Sequence, residues 1–194
     1  MIDTRTRVAI ACQGGGSHTA FSAGALSTLL AESDRYNFVA FSGTSGGAID
    51  ALLAWCSVVR DGGKTAGQDL WSFWDDMSAT SPSDAVLNAW TVHGYRALSS
   101  FVAPEVSPYR FPATEASGMA RRKLRKTIED HIDFDAIPRI VGEHSGELPM
   151  LFVGAVDVLS GRFRVFRNMR NTEPPDRYGK IELQLEVTAD AIMA

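Results

Sequence analysis

Phe38-Val39-Ala40-Phe41-Ser42-Gly43-Thr44-Ser45-Gly46-Gly47-Ala48-Ile49-Asp50-Ala51-Leu52-Leu53-Ala54-Trp55 is the stretch whose reading decides the fold. Its apolar head, residues 38–42, reads as a buried strand, and its tail from Ala48 as a helix reaching about Arg60. Between them stands Gly43-Thr44-Ser45-Gly46-Gly47, a Gly-x-Ser-x-Gly pentapeptide. A strand that turns sharply into a helix forces strained backbone angles at the serine, so small residues must flank it. The serine oxygen then projects at a helix N-terminus, where the partial positive charge favours an alkoxide-like oxygen. A five-letter match alone is weak in a chain with 17 glycines. The strand–turn–helix setting makes Ser45 a candidate nucleophile.

Upstream, Val8-Ala9-Ile10-Ala11-Cys12 is a second buried strand, broken by Gln13-Gly14-Gly15-Gly16-Ser17. From Ala20 to Leu30 apolar residues recur at helical spacing. Strand, glycine turn, helix, strand, tight turn, helix: this alternation predicts an α/β three-layer sandwich with a mostly parallel central sheet and helices on both faces. Three successive glycines let backbone N–H groups converge on one point, which suits either a phosphate or the oxyanion of acyl transfer. The spacing fits neither Gly-x-Gly-x-x-Gly nor a Walker loop. Parallel neighbours lie about 4.8 Å apart, so the two turns are expected to face each other at the carboxyl edge of the sheet. Gly14, Gly15 and Gly16 are therefore candidates for an oxyanion hole beside Ser45.

The rest of the chain divides into a helical middle and a β-rich end. In residues 66–78 the helical face is expected to carry Leu70, Trp71, Trp74 and Met77, with Phe73 off the stripe. Residues 84–103 read as helix and 103–112 as a loop punctuated by proline, with a further helix from about Ser117 to Ile132. Residues 66–145 are expected to form a helical, cap-like region within one domain spanning 1–194. The aromatics of this region, Trp71 to Phe101, are expected in the core. Met150–Val156 reads as a buried strand, Ser160-Gly161 as a hairpin turn, residues 162–166 and 180–187 as strands, and Thr188 as the cap of a new helix. That helix stops after about one and a half turns, too short to sustain itself. The domain is thus expected to be incomplete at its C-terminus.

Composition sets outer bounds. The chain has 194 residues, enough for a sizeable core, with 45% hydrophobic and 22% charged residues. A net charge of −4 argues against nucleic acid as a partner. Cys12 and Cys56 sit in apolar segments and read as buried thiols. No signal-peptide core and no membrane-length apolar run is present, so a cytoplasmic, at most membrane-peripheral, location is expected. His18, His93, His131 and His144 have no metal-ligand spacing, so neither metal nor cofactor is expected. The basic run Arg121-Arg122-Lys123-Leu124-Arg125-Lys126 reads as a solvated helix face, with contact to an anionic membrane as the alternative.

The glycine run, the serine pentapeptide and, more softly, Ala155-Val156-Asp157 and Val187 to Ala194 follow the order of the patatin-like phospholipase family, which this chain resembles over nearly its whole length. The resemblance implies a lipid acyl hydrolase with a Ser–Asp dyad. Ser45 would be the nucleophile, and Gly14, Gly15 and Gly16 would form the oxyanion hole. It implies a lipid or other ester substrate, and leaves the oligomeric state open. Two departures stand out. His18 and Thr19 occupy places where the family usually has Arg or Lys and then Gly. The dyad Asp, carried in the family by an Asp-Gly-Gly/Ala motif beyond the helix begun at Thr188, is expected past Ala194, leaving this form inactive or nearly so.

Asp61-Gly62-Gly63 copies the letters of that motif, but about 16 helical residues from Ser45 put it some 24 Å away. Asp157 and Asp190 are weaker candidates for the base. A Ser-His-Asp esterase using His131 or His144 is the mechanistic alternative. A non-catalytic lipid-binding or regulatory domain of the same fold is the functional one.

Overall fold

The computed structural model describes residues 3–78, 115–143, 148–157, 159–168, 181–184 and 186–193. A five-stranded sheet runs in the order β1 (Thr6–Cys12), β2 (Tyr36–Thr44), β3 (Met150–Val156), β4 (Phe163–Arg167) and β5 (Ile181–Gln184). The β1–β2, β2–β3 and β4–β5 pairings are parallel; β3–β4 is antiparallel. This is the α/β sandwich with a mostly parallel sheet that the alternation of strands and glycine turns predicts.

Helices fill the crossovers. A 3₁₀ turn (Gly16–His18) leads into α1 (Thr19–Leu30), and α2 (Gly46–Asp61) follows β2 directly. The others are α3 (Ala66–Asp76), α4 (Glu115–His131), α5 (Ala136–Glu143) and α6 (Ala189–Met193). No helix among the described residues is long and apolar enough to cross a membrane.

The core is built around α2. Ala48 and Ile49, then Ala51 through Trp55, are all buried, as a helix laid across a sheet requires. Beneath it, register pairs Ile10 with Phe41 and Phe41 with Leu151, so their side chains rise on one face of the sheet. Trp55 spans both layers: its indole N–H donates to the carbonyl of Pro149, at the start of β3, over 2.7 Å. The helix stops at Gly62, whose φ of 75° lies in the left-handed region.

Two readings of the sequence are sharpened. Thr188 caps α6: the Ala191 N–H donates to its Oγ1 over 3.2 Å. The hairpin turn is bound by Asp157, which accepts from the N–H groups of Leu159 and Ser160 and from Arg164. Both cysteines are free thiols, and burial pushes them up, Cys12 to about 11 and Cys56 to about 12.

One reading is corrected. On α3 the buried face is Ala66, Leu70 and Phe73, whereas Trp71 stands 74% exposed. Phe73 is drawn inward by α4, where the His131 ring meets it edge-on at 5.6 Å, and by Trp74 at 5.3 Å. Trp90, Tyr95 and Phe101, with the helix expected over 84–103 and the loop over 103–112, lie outside the described residues.

Candidate active site

The parallel register sets the site. Cys12 pairs with Gly43 and Thr44 with Gly154, so β1, β2 and β3 finish at one edge, and the turns after β1 and β2 emerge together. Between β2 and α2 stands Ser45, with φ 54° and ψ −135°. Among the described residues it alone, glycines aside, has a positive φ. Such a backbone costs on the order of 1–3 kcal/mol and persists only where its surroundings enforce it.

Those surroundings are glycines under compression. A Cβ at Gly47 would lie 2.4 Å from the carbonyl oxygen of Cys12, so the first turn of α2 can sit against the end of β1 only without a side chain there. At Gly14 a Cβ would stand 2.8 Å from the Thr44 carbonyl oxygen and 3.0 Å from the Cβ of Ser45. The glycine run therefore packs directly against the serine turn. Thr19 braces the pair, its buried Oγ1 donating to the Gly16 carbonyl over 2.5 Å. The departure from a glycine at position 19 has become a structural hydrogen bond. Gly16 has φ 57°, and Gly15 precedes the 3₁₀ turn closed by the His18 N–H on its carbonyl. No acidic residue occupies the first turn of α2, so nothing there offsets the positive end of the helix at Ser45.

Ser45 opens into a cavity of about 680 Å³, inside the range of roughly 300–1,000 Å³ usual for small-molecule sites. Ile49 of α2, Trp74 of α3 with Met77 just past its end, Leu124 of α4, Val153 of β3 and Ile192 of α6 make its walls apolar. Gly16 lines it as well; Gly14 and Gly15 do not, although Gly14 touches the serine.

The candidate bases are engaged elsewhere. Asp157 is held below the usual carboxylate range by the Ser160 and Leu159 N–H groups of its own turn. Asp190 is an exposed partner of Arg125 at 2.5 Å. Asp61, at the far end of α2, accepts from Thr65 Oγ1 over 2.6 Å. His131 pairs with Asp76 at 2.9 Å, yet neither lines the cavity that holds Ser45. His93 and His144 lie outside the described residues. The basic run is a solvated face, with Arg125–Glu129 at 2.9 Å and Lys126–Asp130 pairing along the helix. No group of three or more His, Cys, Asp or Glu among the described residues could hold a metal ion.

One buried acid escaped the reading of the sequence. Asp50, one turn into α2, is wholly buried. It accepts from the indole N–H of Trp74 over 2.8 Å, while its Oδ2 has no hydrogen-bond partner among the described residues. Burial raises it to about 6. The signal was there: a lone carboxylate inside an unbroken apolar helix stretch.

The model of the patatin-like phospholipase family matches residues 10–179. Comparison with curated proteins returns no match. Among solved structures, the chain is similar to one in the heterodimeric ExoU–SpcU complex of the Pseudomonas aeruginosa type III secretion system, at 16% identity and a TM-score of 0.37. That similarity covers 84% of this chain and 32% of the other, so the chain spans about a third of that protein's length.

Proposed function

Because the chain belongs to the patatin-like phospholipase family, whose members act on lipid acyl esters, we propose that it is a serine-dependent lipid acyl hydrolase with Ser45 as nucleophile. The observation that carries the reading is the strained backbone of Ser45 in the lining of an apolar cavity, with Gly14 against its Cβ. In this reading the Ser45 oxygen attacks the ester carbonyl and its proton passes to a carboxylate base. Backbone N–H groups of Gly14, Gly15 and Gly16, aided by the α2 N-terminus, stabilise the tetrahedral oxyanion. The alcohol leaves, and water then releases the fatty acid from the acyl-enzyme. The apolar walls take up the acyl chain, and α3 and α4, the described helices nearest the cavity within residues 66–145, form part of the cap over it. The setting is cytoplasmic with peripheral membrane contact.

The commitments of Asp61, Asp157 and Asp190 favour a second reading, a lipid-binding domain without turnover. They leave the base, in the hydrolase reading, to a carboxylate other than these three.

Labelling with a fluorophosphonate that reacts only with activated serines separates the two readings. The full-length protein should label, Ser45→Ala should not, and Asp157→Asn should label as wild type does. Unlabelled full-length protein, or labelling that survives Ser45→Ala, would sink the nucleophile assignment. The 194-residue chain should hydrolyse short p-nitrophenyl esters no faster than its own Ser45→Ala variant. Clear turnover above that variant would instead return Asp157 or His131 to the site.

A further inference from the structure

The helix that leaves the glycine run is apolar in an unexpected direction. Across Thr19–Leu30 α1 carries no charged residue. A surface helix normally turns charges to water, and one apolar all round is normally buried. This one is neither. Ala23, Leu26 and Leu30 face the core, yet Ala20, Phe21, Gly24 and Ala25 are exposed, Phe21 at 85%.

Helix α3 continues the same surface. A Cβ at Gly67 would lie 3.4 Å from the Cβ of Ser27, whereas Ala20 and Trp74, toward the other ends of the helices, both line the cavity. The two helices thus run antiparallel. With Leu70 and Phe73 turned inward, Trp71 stands on the outer side of the pair, as Phe21 does on α1. Two large exposed aromatics on packed neighbouring helices call for a partner.

We propose that the outer face of the α1–α3 pair, tipped by Phe21 and Trp71, is the surface by which the protein rests on a neutral, zwitterionic lipid layer. The choice of lipid as occupant rests on the lipid-hydrolase reading above. Two observations commit to it. First, the face is continuous with the cavity: Ala20 of α1 and Trp74 of α3 line it, with Ser17 just before α1 and Ser78 just after α3. A lipid layer lying on the pair would meet the entrance to Ser45. Second, the charge is right for a zwitterionic layer and wrong for an anionic one. Neither helix holds a Lys or Arg, and α3 ends in Asp75 and Asp76. Trp and Phe suit the boundary between headgroups and acyl chains, where burial of apolar area supplies the binding.

The test is co-sedimentation of the full-length protein with phosphatidylcholine vesicles. Wild type should partition to the vesicles, and replacing part of the phosphatidylcholine with phosphatidylglycerol should not strengthen binding. Phe21→Ser with Trp71→Ser, both at exposed positions, should lower the partition coefficient at least about tenfold, with the melting temperature and fluorophosphonate labelling kept. Ser45→Ala should partition as wild type does. The surface assignment is overturned if the double variant binds as wild type does, or if binding requires the anionic lipid. It is overturned equally if wild type stays in solution as a dimer that the double variant dissolves. A failure of labelling with vesicle binding intact would remove the nucleophile and leave the docking surface standing.

Discussion

Asp50 sets the sharpest expectation at the scale of the residue. A carboxyl that is wholly buried with one oxygen unpartnered is more costly charged than neutral. Its value rises from 3.8 to about 6 because burial outweighs the Trp74 hydrogen bond, which pulls the other way. Between those values the folded chain holds a proton that the unfolded chain has released. This contribution to stability is therefore full below about pH 4 and is lost as pH rises through 6, a change of about 3 kcal/mol. Cys12 on β1, which feels the charge, stays a neutral thiol throughout this range. Asp50→Asn keeps an oxygen for Trp74 and removes the charge. Thermal melts should show the variant more stable than wild type at pH 7.5, with the gap closing toward pH 4. Parallel pH profiles would show that Asp50 is not the titrating group. Ser45 itself was legible because its constraints are local: two flanking glycines and the change from strand to helix lie within a few residues. The unpartnered state of Asp50 was not, since it depends on what β1 and α3 bring against α2.

For the single element, α3 shows where periodicity stops deciding. Leu70, Trp71, Trp74 and Met77 form one stripe, and Leu70, Phe73 and Met77 another, both compatible with 3.6 residues per turn. The neighbours decide: α4 offers Phe73 the His131 ring, and among the described residues no ring meets Trp71 in the same way. The same helix should consequently answer very differently at adjacent positions. Phe73→Ala should cost about 3–5 kcal/mol through the lost burial and the cavity left behind, whereas Trp71→Ala should stay within about 0.5 kcal/mol. Urea unfolding of the two variants measures both, and comparable losses would refute the inward assignment of Phe73. The hairpin was easier to read, because Ser160-Gly161 and the alternating residues after it carry turn and strand together.

At the scale of the whole molecule, the cavity gathers segments from Gly16 to Met193, separated by most of the chain. The β1 and β2 turns announce the proposed nucleophile, but no local pattern announces that Met77, Leu124 and Ile192 will share a space with it. The sheet order and the packing of α3 and α6 against α4 and β3 bring them together. An apolar space of this kind makes stability answer to ligand. A fatty acid that enters the folded chain and not the unfolded one should stabilise by about 2.7 kcal/mol at a hundred times its Kd. For a domain of this size that is a rise in Tm of about 5–10 °C. Dodecanoate, titrated below its micelle concentration, should raise Tm with the logarithm of concentration, in Ser45→Ala as in wild type. Met77→Trp fills the cavity from the end of α3 and should remove at least about half of the shift, since the acyl chain and the indole compete for one volume. A Tm indifferent to dodecanoate up to its solubility limit would mean that the space beside Ser45 does not receive acyl chains.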